Sequence, residues 1–524
     1  MRGFPNIHLQ HLLAVLSRHF LGCGGRKGVF LLFLLLFSIV SFGQDGVNIT
    51  STESPGPTSS NPIPIDIRFE EAVNSIDDSA LEIINGSLGN LQRVDPTFKF
   101  NGPKGDLTNF RIDKTLNEIL DDIGGILGLG NLGPYLEEQL SEAVISIDFN
   151  GNDNLFYLTY GNGLYEFGNP VPVISADKFE TPLDFVINRA NGNIYVADHG
   201  KKQILVFNNS FELINEIGAG TDAESNDPRG TSGLALDSDG NIYNADNYTG
   251  NKTGNFDAIK IYSPDGNWIH TIDNFKGDPI RDPLRIAVDI NGNIFLSDAG
   301  GNNGRVLIYD KNYNPVTIIN QEVQGSPGSL MTDAYGYLYV ADFADDFDLN
   351  ALFNDPLDLL DSFAGIDSGN FDIKVYDPQD NYSLAGSFSS ENLDLPIDLA
   401  INDCGRIYVN NMDLVIRSLD IGKIGNYPIP NDVDVEFHFS LKEFKRQDNF
   451  TANIIPEEEG LVEVKINKPL FLCDPQPNGE FSIEYQKEQK NTAPEAEPDD
   501  FYTTQENVTL SVSKTDGVLA NDKD

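Results

Sequence analysis

Cysteine is nearly absent. There are three in 524 residues, and only Cys404 and Cys473 lie beyond the N-terminal apolar segment. Two thiols cannot make the disulfide framework that holds small exported domains, so the chain must be held by buried apolar surface. Two buried thiols are the expectation for this pair, with pairing after export as the alternative. Basic residues are also scarce, 35 against 80 acids, for a formal charge of −45. Such a surface repels nucleic acid and anionic lipid. Only three histidines, His199, His270 and His438, follow the apolar segment, and they are too dispersed to converge on one metal. No apolar run reaches the roughly 20 residues of a spanning helix.

The longest such run is GVFLLFLLLFSIV at 28–40, with Arg26 and Lys27 before it and Ser41 and Gly43 after it. That order is an export signal, with cleavage placed after Gly43. Cys23 precedes the run, so it is not read as a lipid anchor. Loss of four basic residues and no acid leaves −49 on the mature chain, expected to be secreted or held at the cell surface without a membrane span. The length implies two to four domains.

A glycine-centred unit, NGNIYVADHG at 191–200, recurs with glycines at Gly151, Gly192, Gly240, Gly292, Gly336 and Gly405. Each unit carries short alternating apolar stretches around an Asn/Gly turn, as in DPLRIAVDINGNIFLSDAGGNNGRVLIYD at 282–310. Units of roughly 40–50 residues with three or four strands are propeller blades, because one small twisted sheet cannot cover both of its faces alone. The expected fold is all-β: a six-bladed propeller over 144–431. The first copy is degenerate. Because the last copy ends early at LVIRSL (414–419), residues near TNFRI (108–112) are expected to supply a closing outer strand, within a linker 96–143 that also holds short helices around Leu116–Ile123.

The pattern resembles the NHL repeat family in Pro283 to Asp289, Gly292 to Asp298 and Arg305 to Tyr309, with weaker copies around Pro182, Ser232, Pro327 and Pro396. The flanks 45–95 and 432–490 resemble two halves of a bacterial Ig-like surface repeat. Phe69 to Val73 with Asn85-Gly86 carry one half; Phe450, Ile455, Pro456, Gly460 and Val462 carry the other. The propeller is then inserted in, or flanked by, one Ig-like sandwich. Residues 491–524 resemble the start of a cadherin-like tandem repeat in Ala493-Pro494, Asp499-Asp500 and GVLAND. Calcium is implied for some such relatives, and Asp522 and Asp524 are the candidate metal ligands, although two solvated acids are the favoured state.

Aligning the units puts Val144, Asp184, Gly233, Arg285, Ser329 and Asp398 in one ring around the channel. Asp184, Arg285, Ser329 and Asp398 are the candidate ligand or metal site; the favoured state pairs Arg285 with Asp184 or Asp398 to neutralise a partly dry channel. The recurrent Asp198, Asp246, Asp298 and Asp342 are expected to cap turns by accepting backbone N–H groups. Two long loops, 244–258 and 343–371, break the rhythm. The second is the expected partner contact through Phe343, Asp345, Asp346, Phe347, Leu349, Leu352 and Phe353. No catalytic residue is assigned. The expectation is a binding or adhesion protein at a bacterial cell surface, with a protein or glycan ligand; the alternative is a calcium-dependent hydrolase or lyase in the channel.

Overall fold

The computed structural model describes residues 46–115 and 141–487, apart from 54–55, 74–75, 77–79, 219–225, 249–256, 301–303, 320–324, 345–371, 389–392, 425–426, 467–469 and 474–479. The export segment, the expected helices at 116–140, most of the 343–371 loop and the cadherin-like stretch lie outside the described residues.

What is described is all-β. Five four-stranded antiparallel meanders follow in chain order, with innermost strands Val144–Phe149, Pro182–Ile187, Thr231–Leu236, Pro283–Val288 and Gly325–Thr332. A composite sheet follows, beginning with Leu395–Ile401 and Arg406–Ile424. Each innermost strand packs on the next, and Leu395–Ile401 packs back on Val144–Phe149, so the circle closes. The arrangement is propeller-like.

Strand character follows from this packing. Second strands such as Ile194–Asp198 and Ile294–Asp298 are buried at every position, because a neighbouring sheet covers each face. Outermost strands such as Leu213–Ile217 are buried only at their last residue. Every seam has its own apolar cluster. Between the first and second sheets it contains Phe156, Leu158, Phe185 and Val196; between the fourth and fifth, Phe295, Ile308, Leu338 and Tyr376. Each such side chain contributes about 1.5–3 kcal/mol on burial.

The repeated turn has a local cause. Asp289 accepts the N–H groups of Asn291 and Asn293 at 2.8 Å each, and Gly292 between them sits at φ +83°. Gly192, Gly240, Gly336 and Gly405 share that left-handed backbone, which glycine adopts without steric cost. The first sheet differs. Asn150 caps its turn, as Asn188 and Asn402 cap theirs, but its left-handed residue is Asp153, at φ +63°, two positions after Gly151.

The composite sheet closes the circle with chain from both flanks. Its third strand lies in Tyr427–Pro456 and its fourth in Gly86–Thr115, each 30 residues long. Thr108 pairs opposite Phe439 and Ile112 opposite Val435. Both strands run through the positions 95/96 and 431/432. Phe437, Phe439 and Leu441 belong to the seam with the first sheet, whereas Phe450, Ala452 and Ile454 on the same strand belong to a second core. That second core lies between the pairings of Val47–Thr50 and Ile63–Phe69 on one side and Leu81–Ile84, Gly460–Ile466 and Glu480–Tyr485 on the other.

The junction of the two cores is polar and dry. Arg446, fully buried, pairs with Asp333 in a turn of the fifth sheet and with Asp448 at 3.2 Å, and its guanidinium lies 4.1 Å from the Tyr337 ring. Asp448 also accepts the Val73 N–H at 2.8 Å. Nearby, Cys404 and Cys473 form a disulfide, so the expected pair of free thiols is corrected: the turn after Leu395–Ile401 and the segment after Phe471 bring the two Cα atoms to 5.2 Å.

Two measurements follow. Arg446→Met should cost about 3–5 kcal/mol in denaturant unfolding, because it leaves buried Asp333 without its cation and Asp448 with Arg93 alone; a loss below about 1 kcal/mol would mean that Arg446 does not hold the junction. Cys404→Ser with Cys473→Ser opens a loop spanning 69 residues and should cost about 4 kcal/mol on chain-entropy grounds. Thiol counting on the unfolded, unreduced protein should find neither cysteine free.

Candidate functional site

The ring expected from the repeat exists, with one substitution. Asp184, Gly233 and Asp398 lie opposite Ala197, Ala245 and Asn410 in their sheets, just beyond a bulge, and Arg285 and Ser329 fall within the same irregularity of theirs. In the first sheet the equivalent residue is Ser146, opposite Leu158, and Val144 is two positions away beyond its bulge. The cause is the two-residue shift of that sheet's turn from Gly151 to Asp153; alignment on the glycine carried the error down the strand.

These side chains tie neighbouring sheets together. Asp184 accepts the Ser146 hydroxyl at 2.7 Å and the Leu234 N–H at 2.8 Å. Asp398 accepts the Ser329 hydroxyl at 2.6 Å and the Ile147 N–H at 2.8 Å. Asp148, one turn of the pleat further on, accepts the Ile187 N–H at 2.8 Å. The expected ion pair of Arg285 is not what the structure shows. Its guanidinium donates instead to three carbonyls on three other sheets, Ser232 at 2.7 Å, Leu183 at 3.1 Å and Ile145 at 3.3 Å, and so bridges the channel. A fork of five fixed donors suits carbonyls converging from several strands.

Above this layer opens a cavity of about 820 Å³, lined by Asp148, Asp184, Asp398, Arg189 and the turns around Asp237, Asp289, Asp333 and Asp403. Leu472, next to the disulfide, lies at its rim. Burial, followed by repulsion from Asp184, pushes the Asp398 carboxyl up to about 6, and burial likewise raises Asp148 to about 6 against the pull of Arg189. The turn aspartates at the rim are engaged: Asp237 holds Asn241 and the Tyr243 hydroxyl, and Asp289 holds Asn293. The DSDGN stretch at 237–241 is thus a capped hairpin turn.

The recurrent aspartates accept backbone N–H groups, chiefly from the segment entering their own sheet. Asp198 takes those of Glu180 and Thr181, Asp246 those of Arg229 and Gly230, and Asp298 that of Arg281. The other oxygens of Asp246 and Asp298 meet cations on the third strand: Lys260 on Asp246 at 2.6 Å, and Arg305 on Asp298 at 2.7 Å. Repeat spacing alone did not carry those pairs, since the cations fall at different offsets from the repeated motif.

The three histidines lie apart. His199 is in the seam between the second and third sheets, His270 stacks on Tyr313 at 4.6 Å, and His438 meets Asp106 at 3.1 Å. Among the described residues no three His, Cys, Asp or Glu side chains converge as a group that could hold a metal ion. Asp522 and Asp524 lie outside the described residues. So do Asp345, Asp346, Phe347, Leu349, Leu352 and Phe353; the backbone of Phe343 pairs opposite Ser326 at the end of the second strand of the fifth sheet. No helix among the described residues is long and apolar enough to cross a membrane.

No protein-family model and no curated protein matches the chain. Solved structures do resemble it in part. A gluconolactonase from Xanthomonas campestris is 10% identical with a TM-score of 0.38, covering 67% of this chain and 98% of its own. Virginiamycin B lyase from Staphylococcus aureus is 9% identical with a TM-score of 0.35, covering 63% and 99%. Hydrazine synthase from Kuenenia stuttgartiensis is 13% identical with a TM-score of 0.36, covering 52% and 76%. These are propeller-type proteins, and at such similarity no activity carries over.

The raised carboxyl gives a signed expectation. Folded Asp398 keeps its proton to about pH 6, whereas the unfolded group releases it near 3.8. Its stabilising share is therefore complete below about pH 3.8 and is lost as pH rises through about 6. Asp398→Asn should gain on the parent between pH 4 and 8, on the order of 3 kcal/mol at most, in denaturant unfolding followed across pH. A constant difference across that range would refute it. Arg285→Leu leaves three carbonyls without their donor and should cost about 2–4 kcal/mol; a variant as stable as the parent would remove Arg285 from the closure of the ring.

Proposed function

We propose that this protein is an exported binding or adhesion protein of a bacterial cell surface. In this reading a six-bladed, NHL-like propeller is a rigid scaffold within a split Ig-like sandwich. The observation that carries it is the employment of the ring. Asp184 and Asp398 each spend both oxygens on protein donors, and Arg285 spends its guanidinium on three carbonyls. Groups that hold sheets together cannot also move protons for a substrate without loosening the ring. The export signal, the acidic surface and the resemblance of 491–524 to tandem surface repeats favour a site outside the cell, with a protein or glycan ligand; calcium is implied for some relatives of that repeat, and two solvated acids stay the favoured state of Asp522 and Asp524. The 343–371 loop, which connects the second and third strands of the fifth sheet, is the proposed contact.

The second reading is a calcium-dependent hydrolase or lyase, favoured by the cavity of about 820 Å³ above two carboxyls with raised pKa. The two separate by calorimetric calcium titration of the mature chain. A shorter piece ending at 431 would lose the third strand of the composite sheet. A tight site removed by Asp184→Ala and Asp398→Ala, each checked for retained folding, establishes the second reading. Calcium binding unaffected by either change, with capture on a glycan and protein array that is lost when 343–371 is deleted, establishes the first. Capture that survives the deletion removes that loop as the contact.

A further inference from the structure

The seam between the second and third sheets departs from the pattern of the others. At the middle of the second strand, opposite the residue that follows the ring position, the sheets carry Tyr157, Val196, Asn244, Leu296, Val340 and Val409 in turn. Asn244 alone is an amide, and it is fully buried facing the second sheet, where its neighbours Leu234 and Ile242 pack with Tyr195 and Ala197. At the start of the innermost strand the series is Val144, Pro182, Thr231, Pro283, Pro327 and Pro396, and Thr231 alone is hydroxylic. Thr231 pairs opposite Asp246, one pleat from Asn244 on the same face.

The polar atoms introduced there have no protein partner. Both amide atoms of Asn244, the Thr231 hydroxyl, Oδ1 of Asn247 and Nδ1 of His199 are buried without a hydrogen bond. His199 enters the same corner from the second sheet; burial keeps its imidazole below its usual pKa, although it bonds the Thr231 backbone. A buried amide with neither end satisfied costs about 1–3 kcal/mol per group relative to the aliphatic residue that the sibling sheets use. Nothing in the seam returns that cost unless a further molecule sits there. The set contains donors, in the amide N–H₂ and the hydroxyl, and acceptors, in the two amide oxygens and the imidazole nitrogen. Lys260 on Asp246 at 2.6 Å already supplies a balancing cation, which disfavours a metal ion.

We propose that this seam is a binding site for hydroxyl groups, which both donate and accept, held among Thr231, Asn244, Asn247 and His199. Trapped solvent and the hydroxyls of a saccharide share that chemistry. The site does not depend on the employment of the channel ring, and it stands or falls separately from the reading above.

The test uses the full mature chain, its Asn244→Leu variant and Leu296→Asn as a control in a sibling seam. Crystals of the parent should show ordered density bonded to Asn244 and Thr231, and Asn244→Leu should lower the melting midpoint by about 2–4 °C, since the remaining groups lose their bridge. A melting midpoint of the parent, but not of Asn244→Leu, that rises with added monosaccharide identifies a saccharide; no such rise, with the density present, identifies solvent. An empty seam in the crystal, or an Asn244→Leu protein that melts higher than the parent while Leu296→Asn melts lower, overturns the proposal.

Discussion

The structure depends on closing a circle of sheets whose ends come from distant parts of the chain. Apolar seams supply most of the favourable free energy, yet they are non-directional and would tolerate slippage. Direction comes from hydrogen bonds between sheets at the inner rim: Asp398 accepts from the Ser329 hydroxyl and the Ile147 N–H, and Asp184 from the Ser146 hydroxyl and the Leu234 N–H. Arg285 adds a cation that donates to carbonyls of three further sheets. A buried carboxylate unpaired with any cation is normally costly. Here two backbone or hydroxyl donors per carboxylate offset the cost, and the raised pKa of Asp398 shows that the offset is incomplete.

The second constraint is the pair of 30-residue strands. Because Tyr427–Pro456 is hydrogen-bonded to Gly86–Thr115 along nearly its whole length, the composite sheet and the flanking core share a backbone ladder. Arg446 and the Cys404–Cys473 disulfide then fix the junction at two further points. A flanking core joined this way cannot swing freely over the channel, which Leu472 helps to line.

Much of this was legible in the residues. The Asp/Asn-x-x-Gly-Asn turns and the apolar runs between them gave the strands, because each turn is closed by its own side chain and needs nothing distant. The inner ring was legible to within one sheet. It failed at Val144 because the first copy replaces glycine by Asp153 in the left-handed position, and counting from Gly151 misplaced the strand by two. The ion pair assigned to Arg285 failed for a different reason: strand spacing fixes which residue points inward but not which of several carbonyls and carboxylates a long side chain will reach.

The sequence by itself determined the local units: turn, strand order within a sheet, and the face each residue presents, all set by interactions within a few residues. Only the tertiary structure decided where those units end and what their polar groups meet. Two strands run through positions 95 and 431 because a strand continues wherever a partner edge is offered, and Cys404 met Cys473 because the flanking core folds back on the composite sheet. The unpartnered amide of Asn244 became visible only once every neighbour was in place, since burial without a bond is a property of packing and not of any residue alone.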